Sequence, residues 1–242
     1  MPTTDPHAIV ELRQYTLHPQ QREVLIDLFD REFLETQEAH GMRVLGQFRD
    51  LDRPDRFVWL RGFADMPARH RALEGFYGGP VWAAHRNAAN VTMIDSDNVH
   101  LLCPAWPGAT AGLPQHARPQ PGAQGVATGI LQVTVFPLRE PATPRLQDFC
   151  RHRMVPTLLR GGARQLAWFC TEHSPNTFAR LPVREGEPVL VGLALFGDEA
   201  ALQSFADSGA WARDVAPGLA PWLAAAPEVL RLQPTARSAL HA

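Results

Sequence analysis

The sequence predicts an α+β fold of two tandem ferredoxin-like (βαββαβ) units that form a pseudo-dimeric α/β barrel in one chain. Strand and helix patterns follow one another in the order β-α-β-β-α-β over residues 8–103, and residues 127–236 repeat that order in divergent form. A stretch rich in Pro, Gly and Ala at 104–126 separates the two units as an extended linker. Because the helices of such a unit cover one face of its sheet, two units can place their open faces together.

In the first unit, alternating apolar and polar side chains predict strands at 9–16, 42–49, 56–63 and 95–103. Residues 95–98 are expected to form a polar turn into the last of these strands. The first helix is expected to open at His18 and Pro19 and to stop at Gly41. A short helix follows at 65–75, and a third helix at 80–90 has Pro80 in its first turn, where the missing N–H would be unpaired anyway.

In the second unit, strands are predicted at 129–136, 164–171, 189–196 and 228–233. Helices are predicted at 145–159, 198–208 and 211–225, and Pro156 and Pro217 should shorten or interrupt two of them. The loop at 173–188 is longer than its counterpart in the first unit.

Composition and charge exclude several classes of protein. The formal net charge of −2 provides no basic field for nucleic acid or for an anionic membrane, and the longest apolar run, 189–196, is too short to span a bilayer. The chain starts without a secretory signal pattern, and its three cysteines show no zinc-binding spacing. These features predict a cytoplasmic protein with reduced thiols and no metal site.

The sequence contains no lysine, since all 23 basic residues are arginine. Pyridoxal phosphate held as a Schiff base and a Walker A phosphate loop are therefore excluded. The motifs HExxH, GxSxG and GxGxxG are also absent.

The first strand carries the main candidate site. Glu11, Arg13 and Tyr15 share one face of it, and Trp59 lies on the matching face of the third strand. We expect this face to pack on the second sheet or to line a cavity. One interpretation is an ion pair with a tyrosine that fills the sheet interface. The other is a polar cavity floor in which Arg13 binds an anionic group and Tyr15 donates a hydrogen bond to an oxyanion.

The corresponding positions of the second half, Gln132, Thr134 and Phe136, are uncharged. This difference places any charged site chemistry in the first half.

The helix at 80–90 provides the second candidate group. Trp82 and His85 lie on one face of it by their three-residue spacing. His85 is either a packing residue, a general acid or base, or a ligand of iron. Three residues after Trp211, at the matching place in the second half, stands Asp214.

Three further residues belong to the candidate set. Tyr77 either plugs the start of the helix at 80–90 or binds substrate. Arg49 and Arg61 end strands on the candidate face, and the default interpretation of both is an exposed charge at the sheet edge. The alternative for Arg49 is a role in substrate binding. The predicted substrate-binding residues are thus Glu11, Trp59, Tyr77, Trp82 and Arg49, and the predicted catalytic residues are His85, Tyr15 and Arg13.

Several segments of the first half resemble the NIPSNAP family in the order expected of it, namely residues 11–15, 41–42, 46–48, 57–63, 76–82 and 85–90. The second half looks like a degenerate copy that lacks these motifs. The resemblance implies a dimeric α/β-barrel fold and a homodimer. The same superfamily includes cofactor-independent monooxygenases and heme-degrading monooxygenases, and in the latter a histidine on the second helix, placed like His85, ligates iron.

Three functional hypotheses follow. The first is a small-molecule tailoring enzyme, an oxygenase, isomerase or lyase, that works in the first-half cavity with His85 as acid or base. The second is a heme-binding protein or heme-dependent monooxygenase with His85 as axial ligand. The third is a non-catalytic binding or assembly module with a filled barrel.

Overall fold

A computed structural model describes residues 8–113, 116–123 and 125–242. The strands of this part of the chain are β1 (Ile9–Leu17), β2 (Arg43–Asp50), β3 (Arg56–Phe63), β4 (Met93–Pro104), β5 (Ile130–Pro137), β6 (Gln165–Thr171), β7 (Val189–Phe196) and β8 (Glu228–Pro234). They close into one barrel in the order β1-β3-β2-β8-β5-β7-β6-β4.

The α-helices in the same described ranges lie outside this barrel. They are α1 (Arg22–Leu28), α2 (Leu34–Ala39), α3 (Met66–Tyr77), α4 (Pro80–Asn90), α5 (Pro144–Phe149), α6 (Val155–Arg160), α7 (Glu199–Asp207), α8 (Ala210–Asp214) and α9 (Ala216–Leu219). The π-helical turns Phe29–Phe33 and Cys150–Met154 join α1 to α2 and α5 to α6. No helix among the described residues is long and apolar enough to cross a membrane.

Each half of the chain supplies four neighbouring strands of the barrel, and the two halves meet at two antiparallel seams, β2 with β8 and β4 with β6. The predicted fold of two ferredoxin-like units in a pseudo-dimeric barrel is confirmed. At the second seam Cys103 faces Cys170 with their sulfur atoms 3.6 Å apart, although the two are distant in sequence. Because one chain closes the barrel, no second copy is needed to pair its strand edges.

The barrel interior is filled by aliphatic and aromatic side chains. On β1, Val10 and Leu12 point inward and belong to this apolar cluster, while Tyr15 belongs to the cluster between the sheet and the first-half helices. The expectation that the face with Glu11 and Arg13 is the one the helices leave open is therefore wrong. A closed barrel needs apolar side chains to fill its interior, so the charged face of β1 lies beneath the helices.

Some element boundaries differ from the prediction. The first helix begins at Arg22 rather than at His18, because Gln20 has a φ of 67°, which is incompatible with a right-handed helix. The predicted helix at 211–225 is broken into α8, α9 and a 3₁₀ turn at Ala220–Trp222. The polar residues 95–98 lie within β4, where the pairing with β1 shifts register.

The described part of the linker packs on the second half. Ala105 and Ala109 are buried in its helix-side core, and the ring of Trp106 stacks on Trp168 with centroids 6.3 Å apart. Arg118 binds Glu38 of α2 at 2.7 Å. These contacts hold the linker against both halves.

Candidate functional site

A buried charge cluster lies between the first-half sheet and its helices. Glu11 contacts three guanidinium groups, with N–O distances of 2.7 Å to Arg13, 2.8 Å to Arg61 and 2.7 Å to Arg69. All four side chains are at most 1% exposed. Three guanidinium groups and one carboxylate leave an excess of two positive charges on buried side chains.

Strand register and helix position build this cluster. Glu11 and Arg61 are direct partners in the antiparallel pair of β1 and β3, and Arg13 lies two residues from Glu11 on the same face. Arg69 reaches the carboxylate from α3, which Asp65 caps by accepting a hydrogen bond from the Ala68 amide. Burial by itself would raise the pKa of Glu11, but the three guanidiniums hold that pKa well below its usual range.

The two tyrosines of the sequence are both hydrogen-bonded to this cluster. Arg13 donates from Nε to the hydroxyl of Tyr15 at 3.0 Å, and Arg61 donates from Nη1 to the hydroxyl of Tyr77 at 3.4 Å. Burial raises the pKa of Tyr15 above its ordinary value, against the opposing effect of Arg13. Tyr15 therefore keeps its proton. Each of the two hydroxyls accepts a hydrogen bond from an arginine, which leaves its own O–H available to another acceptor.

A cavity of about 310 Å³ opens beside these tyrosines, between α4, β1 and β4. Its lining consists of Tyr15, Tyr77, Trp82, Arg86, Asn90, Met93, Ser96, Phe178, Arg180 and Leu181. A smaller hollow of about 30 Å³ shares Tyr15, Tyr77, Trp82 and Met93 with it, and is further lined by Trp59 and by Phe29, Phe33 and Phe76.

Trp59 links the hollow to the charge cluster. The guanidinium groups of Arg13 and Arg61 lie 5.7 Å and 5.0 Å from the centre of its ring. Its indole N–H is buried and has no hydrogen-bond partner among the described residues. A buried donor without an acceptor is costly, so this N–H is a natural partner for a ligand oxygen.

The structure brings most of the predicted site residues together. Tyr15, Tyr77 and Trp82 line the cavity, and Trp59 lines its deeper hollow. Glu11 and Arg13 lie behind the tyrosines and do not line it. Direct contact between Arg13 and a substrate anion stays a prediction, and in this geometry the guanidinium is already bound by Glu11 and Tyr15.

His85 and Arg49 lie elsewhere. The imidazole of His85 faces the π-helical turn Phe29–Phe33, with Nε2 3.5 Å from a carboxylate oxygen of Glu32 and its ring centroid 6.4 Å from that of Phe33. Arg49 binds Glu23 of α1 at 2.6 Å. A heme ligated by His85 does not fit this arrangement, because that histidine is not part of the cavity lining. Within the described ranges, no group of three or more His, Cys, Asp or Glu side chains could hold a metal ion.

Three contributors to the site were not recognised from the sequence. Arg61, treated as a charge at the sheet edge, is fully buried, and its two-residue spacing from Trp59 was the available signal. Arg69 on α3 and Phe178 in the second half reach the site only through tertiary contacts, which no local pattern indicates.

Comparison with known proteins supports the fold. Residues 10–106 match the NIPSNAP family. No curated protein matches the chain.

Solved structures that resemble the whole chain include the following three. One is a candidate monooxygenase from Lactobacillus acidophilus NCFM, with a TM-score of 0.55, 9% identity, and coverage of 95% of this chain and 96% of that one. A candidate monooxygenase from Fusobacterium nucleatum has a TM-score of 0.58 at 9% identity and covers 94% and 92%. An anthrone oxidase-like protein has a TM-score of 0.53 at 15% identity and covers 98% and 97%. At these identities the likeness concerns the fold alone.

Proposed function

We propose that the cavity beside Tyr15 and Tyr77, lined largely by residues within the segment 10–106 that matches the NIPSNAP family, binds a small aromatic compound and stabilises an oxyanion on it. The observation that carries the proposal is the pair of buried arginines, Arg13 and Arg61, that each donate to a tyrosine hydroxyl of the same cavity. The activity would be that of an oxygenase, isomerase or lyase.

Tyr15 is the group that would contact the ligand oxygen. Its raised pKa keeps it protonated, so it donates its O–H to a carbonyl or hydroxyl oxygen of the ligand. When negative charge develops on that oxygen, the hydrogen bond strengthens, and the two excess positive charges behind it stabilise the anion in a site sheltered from water. Tyr77 and the indole N–H of Trp59 would provide further donors.

The cavity wall favours an aromatic ligand. The rings of Trp82 and Phe178 both pack against that of Tyr77, with centroids 4.9 Å and 5.9 Å from its centroid. Aromatic side chains contribute large apolar contact area and prefer edge and offset contacts with other rings. A planar ring with an ionisable oxygen suits both the wall and the donors.

The lining residues include no carboxylate and no imidazole. The site therefore favours a ligand that ionises at its own hydroxyl or enol, with the proton released to water, over one whose carbon-bound proton needs a protein base. His85 would instead hold α4 against the π-helical turn through Glu32 and Phe33. An enolate or phenolate is the species from which oxygenation, isomerisation and elimination beside a carbonyl group can each proceed.

The ionisation of a bound phenol tests this proposal. 4-Nitrophenol has a coloured phenolate, so absorbance reports its ionisation directly. We expect the wild-type protein to shift bound 4-nitrophenol toward the phenolate, and Tyr15→Phe to reduce that shift. Binding without any shift would contradict the proposal.

A further inference from the structure

The loop between β6 and β7 of the second half is much longer than the equivalent loop of the first half. It covers residues 172–188, whereas the equivalent connection between β2 and β3 covers residues 51–55. The long loop packs against the first half, since its residues contact α3 and β4 there.

Hydrogen bonds from several of its residues fix this loop to the first half. Arg69 donates to Oδ1 of Asn176 at 3.0 Å, His70 Nδ1 lies 2.7 Å from the carbonyl oxygen of Thr177, and the amide of Arg184 donates to the carbonyl of Val99 at 2.8 Å. Asn176 also holds the loop in shape, since it donates to the Leu181 carbonyl at 2.9 Å and accepts from the Phe178 amide at 3.1 Å.

The tip of the loop completes the first-half cavity. Phe178 is 5% exposed and belongs to the apolar cluster of the first half. Phe178, Arg180 and Leu181 all line the cavity beside Tyr77 and Trp82. The degenerate second half thus supplies one wall of the site that the first half carries.

Two arginines of the cavity lining stand apart from the buried cluster. Arg86 comes from α4 and Arg180 from the loop, and both are solvent-exposed. Neither has a carboxylate partner among the described residues, and the guanidinium of Arg180 lies 4.8 Å above the ring of Phe178. By contrast, the arginines behind the tyrosines are all engaged with Glu11. Guanidinium groups recognise carboxylates with paired hydrogen bonds, and an aromatic ring beneath one of them holds it in place.

We infer that Arg180 and Arg86 bind the carboxylate of an aromatic acid whose ring lies in the cavity, and that the 172–188 loop thereby determines substrate specificity. This inference rests on the proposed function, because it places the ionisable oxygen of the ligand at Tyr15 and its carboxylate at the solvent side. The ligand class is then a small aromatic acid with a hydroxyl or enol group.

Two probes of equal shape test the inference. 2-Naphthoate and 2-naphthamide differ in carrying a carboxylate or a neutral amide on the same ring system, and calorimetric titration of the intact protein measures both affinities. We expect naphthoate to bind more tightly, and Arg180→Gln and Arg86→Gln each to weaken its binding roughly tenfold while the amide is unaffected.

Arg184→Gln is the matched control. Arg184 lies on the same loop, pairs with Glu187 at 2.6 Å and donates to Asn98 at 3.2 Å. Neither Arg184 nor Asn98 lines the cavity, so Arg184→Gln should leave both affinities unchanged. Because Arg86 and Arg180 are exposed, their substitution should not affect folding, which thermal unfolding followed by circular dichroism checks.

Three outcomes would overturn the inference: equal affinity of the wild-type protein for acid and amide, equal weakening of both by the arginine variants, or no binding of either probe. The proposed function is tested separately. If the preference for the acid is absent but 4-nitrophenol still ionises through Tyr15, the carboxylate site is wrong and the oxyanion site stands. If the preference for the acid is present but bound 4-nitrophenol does not ionise, the oxyanion site is wrong and the carboxylate site stands.

Discussion

Glu11 and Arg61 face each other across two adjacent antiparallel strands, and Arg61 Nε donates to Glu11 Oε2 at 2.8 Å. Both side chains are fully buried, and the same carboxylate also binds Arg13 and Arg69. This pairing places the excess positive charge directly behind Tyr15 and Tyr77. Two consequences can be measured separately. One is the contribution of Glu11 to stability, and the other is the role of the tyrosines in binding.

Replacing Glu11 by Gln should destabilise the protein strongly. The substitution removes the one negative charge that three buried guanidiniums share, and breaking a buried ion pair of this kind costs about 3–5 kcal/mol. Urea unfolding measures the change in the free energy of unfolding. The control is Glu23→Gln, which removes an exposed partner of Arg49 and should cost no more than about 1 kcal/mol. Equal costs for the two variants would show that the buried cluster does not stabilise the fold.

The stability should fall between pH 7.5 and pH 5 through His100. Burial lowers the pKa of this β4 histidine from 6.5 to about 4, so the folded state binds fewer protons than the unfolded state in this range. The stabilisation by the neutral His100 is fully present above the pKa of 6.5 that this group has in the unfolded state. It is lost as the pH falls, so that the free energy of unfolding is lower by about 2 kcal/mol at pH 5. Urea midpoints at the two pH values measure it.

The variant His100→Gln isolates this effect. Burial raises the pKa of Asp30 to about 6, so protonation of Asp30 favours the folded state as the pH falls and opposes the effect of His100. This contribution of Asp30 is the same in the wild type and in His100→Gln. The difference between wild type and variant therefore reports His100. A variant with the same pH dependence as the wild type would assign that dependence to other groups.

His85 provides a third prediction. Because its imidazole contacts Glu32 outside the cavity, His85→Ala should leave the affinity for 2-naphthamide within about twofold, whereas Trp82→Ala should weaken it much more. Fluorescence or calorimetric titration distinguishes the two. A loss of affinity in His85→Ala as large as in Trp82→Ala would place the histidine in the site after all.

Phe178→Ala tests whether the second half builds the cavity. Removing this buried ring should cost about 3–5 kcal/mol in stability and also weaken the binding of 2-naphthamide. The matched variant is Phe205→Ala, which removes a ring buried in the second-half core away from the cavity. It should destabilise the protein to a similar extent without changing the affinity. Unchanged binding in Phe178→Ala would separate the loop from the site.

The sequence was sufficient for the element order and for the α+β barrel fold, because alternation and turn residues are local signals. It also grouped Glu11, Arg13 and Tyr15 correctly on one face of β1. It could not decide which face the helices cover, since alternation has the same period whichever side is buried. That choice depends on the closure of the barrel, which requires the apolar residues Val10 and Leu12 inside.

The placement of α4 and of the 172–188 loop also depends on tertiary structure. The rotation of α4 about its axis decides that Trp82 lines the cavity while His85 faces Glu32, and both lie on one stripe in the sequence. The contact of Phe178 with Tyr77 joins residues far apart in the chain. No periodicity in either segment indicates it.

The most direct test of the oxyanion site is the ionisation of bound 4-nitrophenol in the wild type, Tyr15→Phe and Tyr77→Phe, with nitrobenzene as the ligand that lacks the hydroxyl. We predict that the wild type favours the bound phenolate and that Tyr15→Phe weakens phenolate binding roughly tenfold. Tyr77→Phe should have a smaller effect, because its hydroxyl is farther from its arginine, and nitrobenzene should bind all three proteins alike. Equal phenolate fractions in the wild type and in Tyr15→Phe would contradict the account.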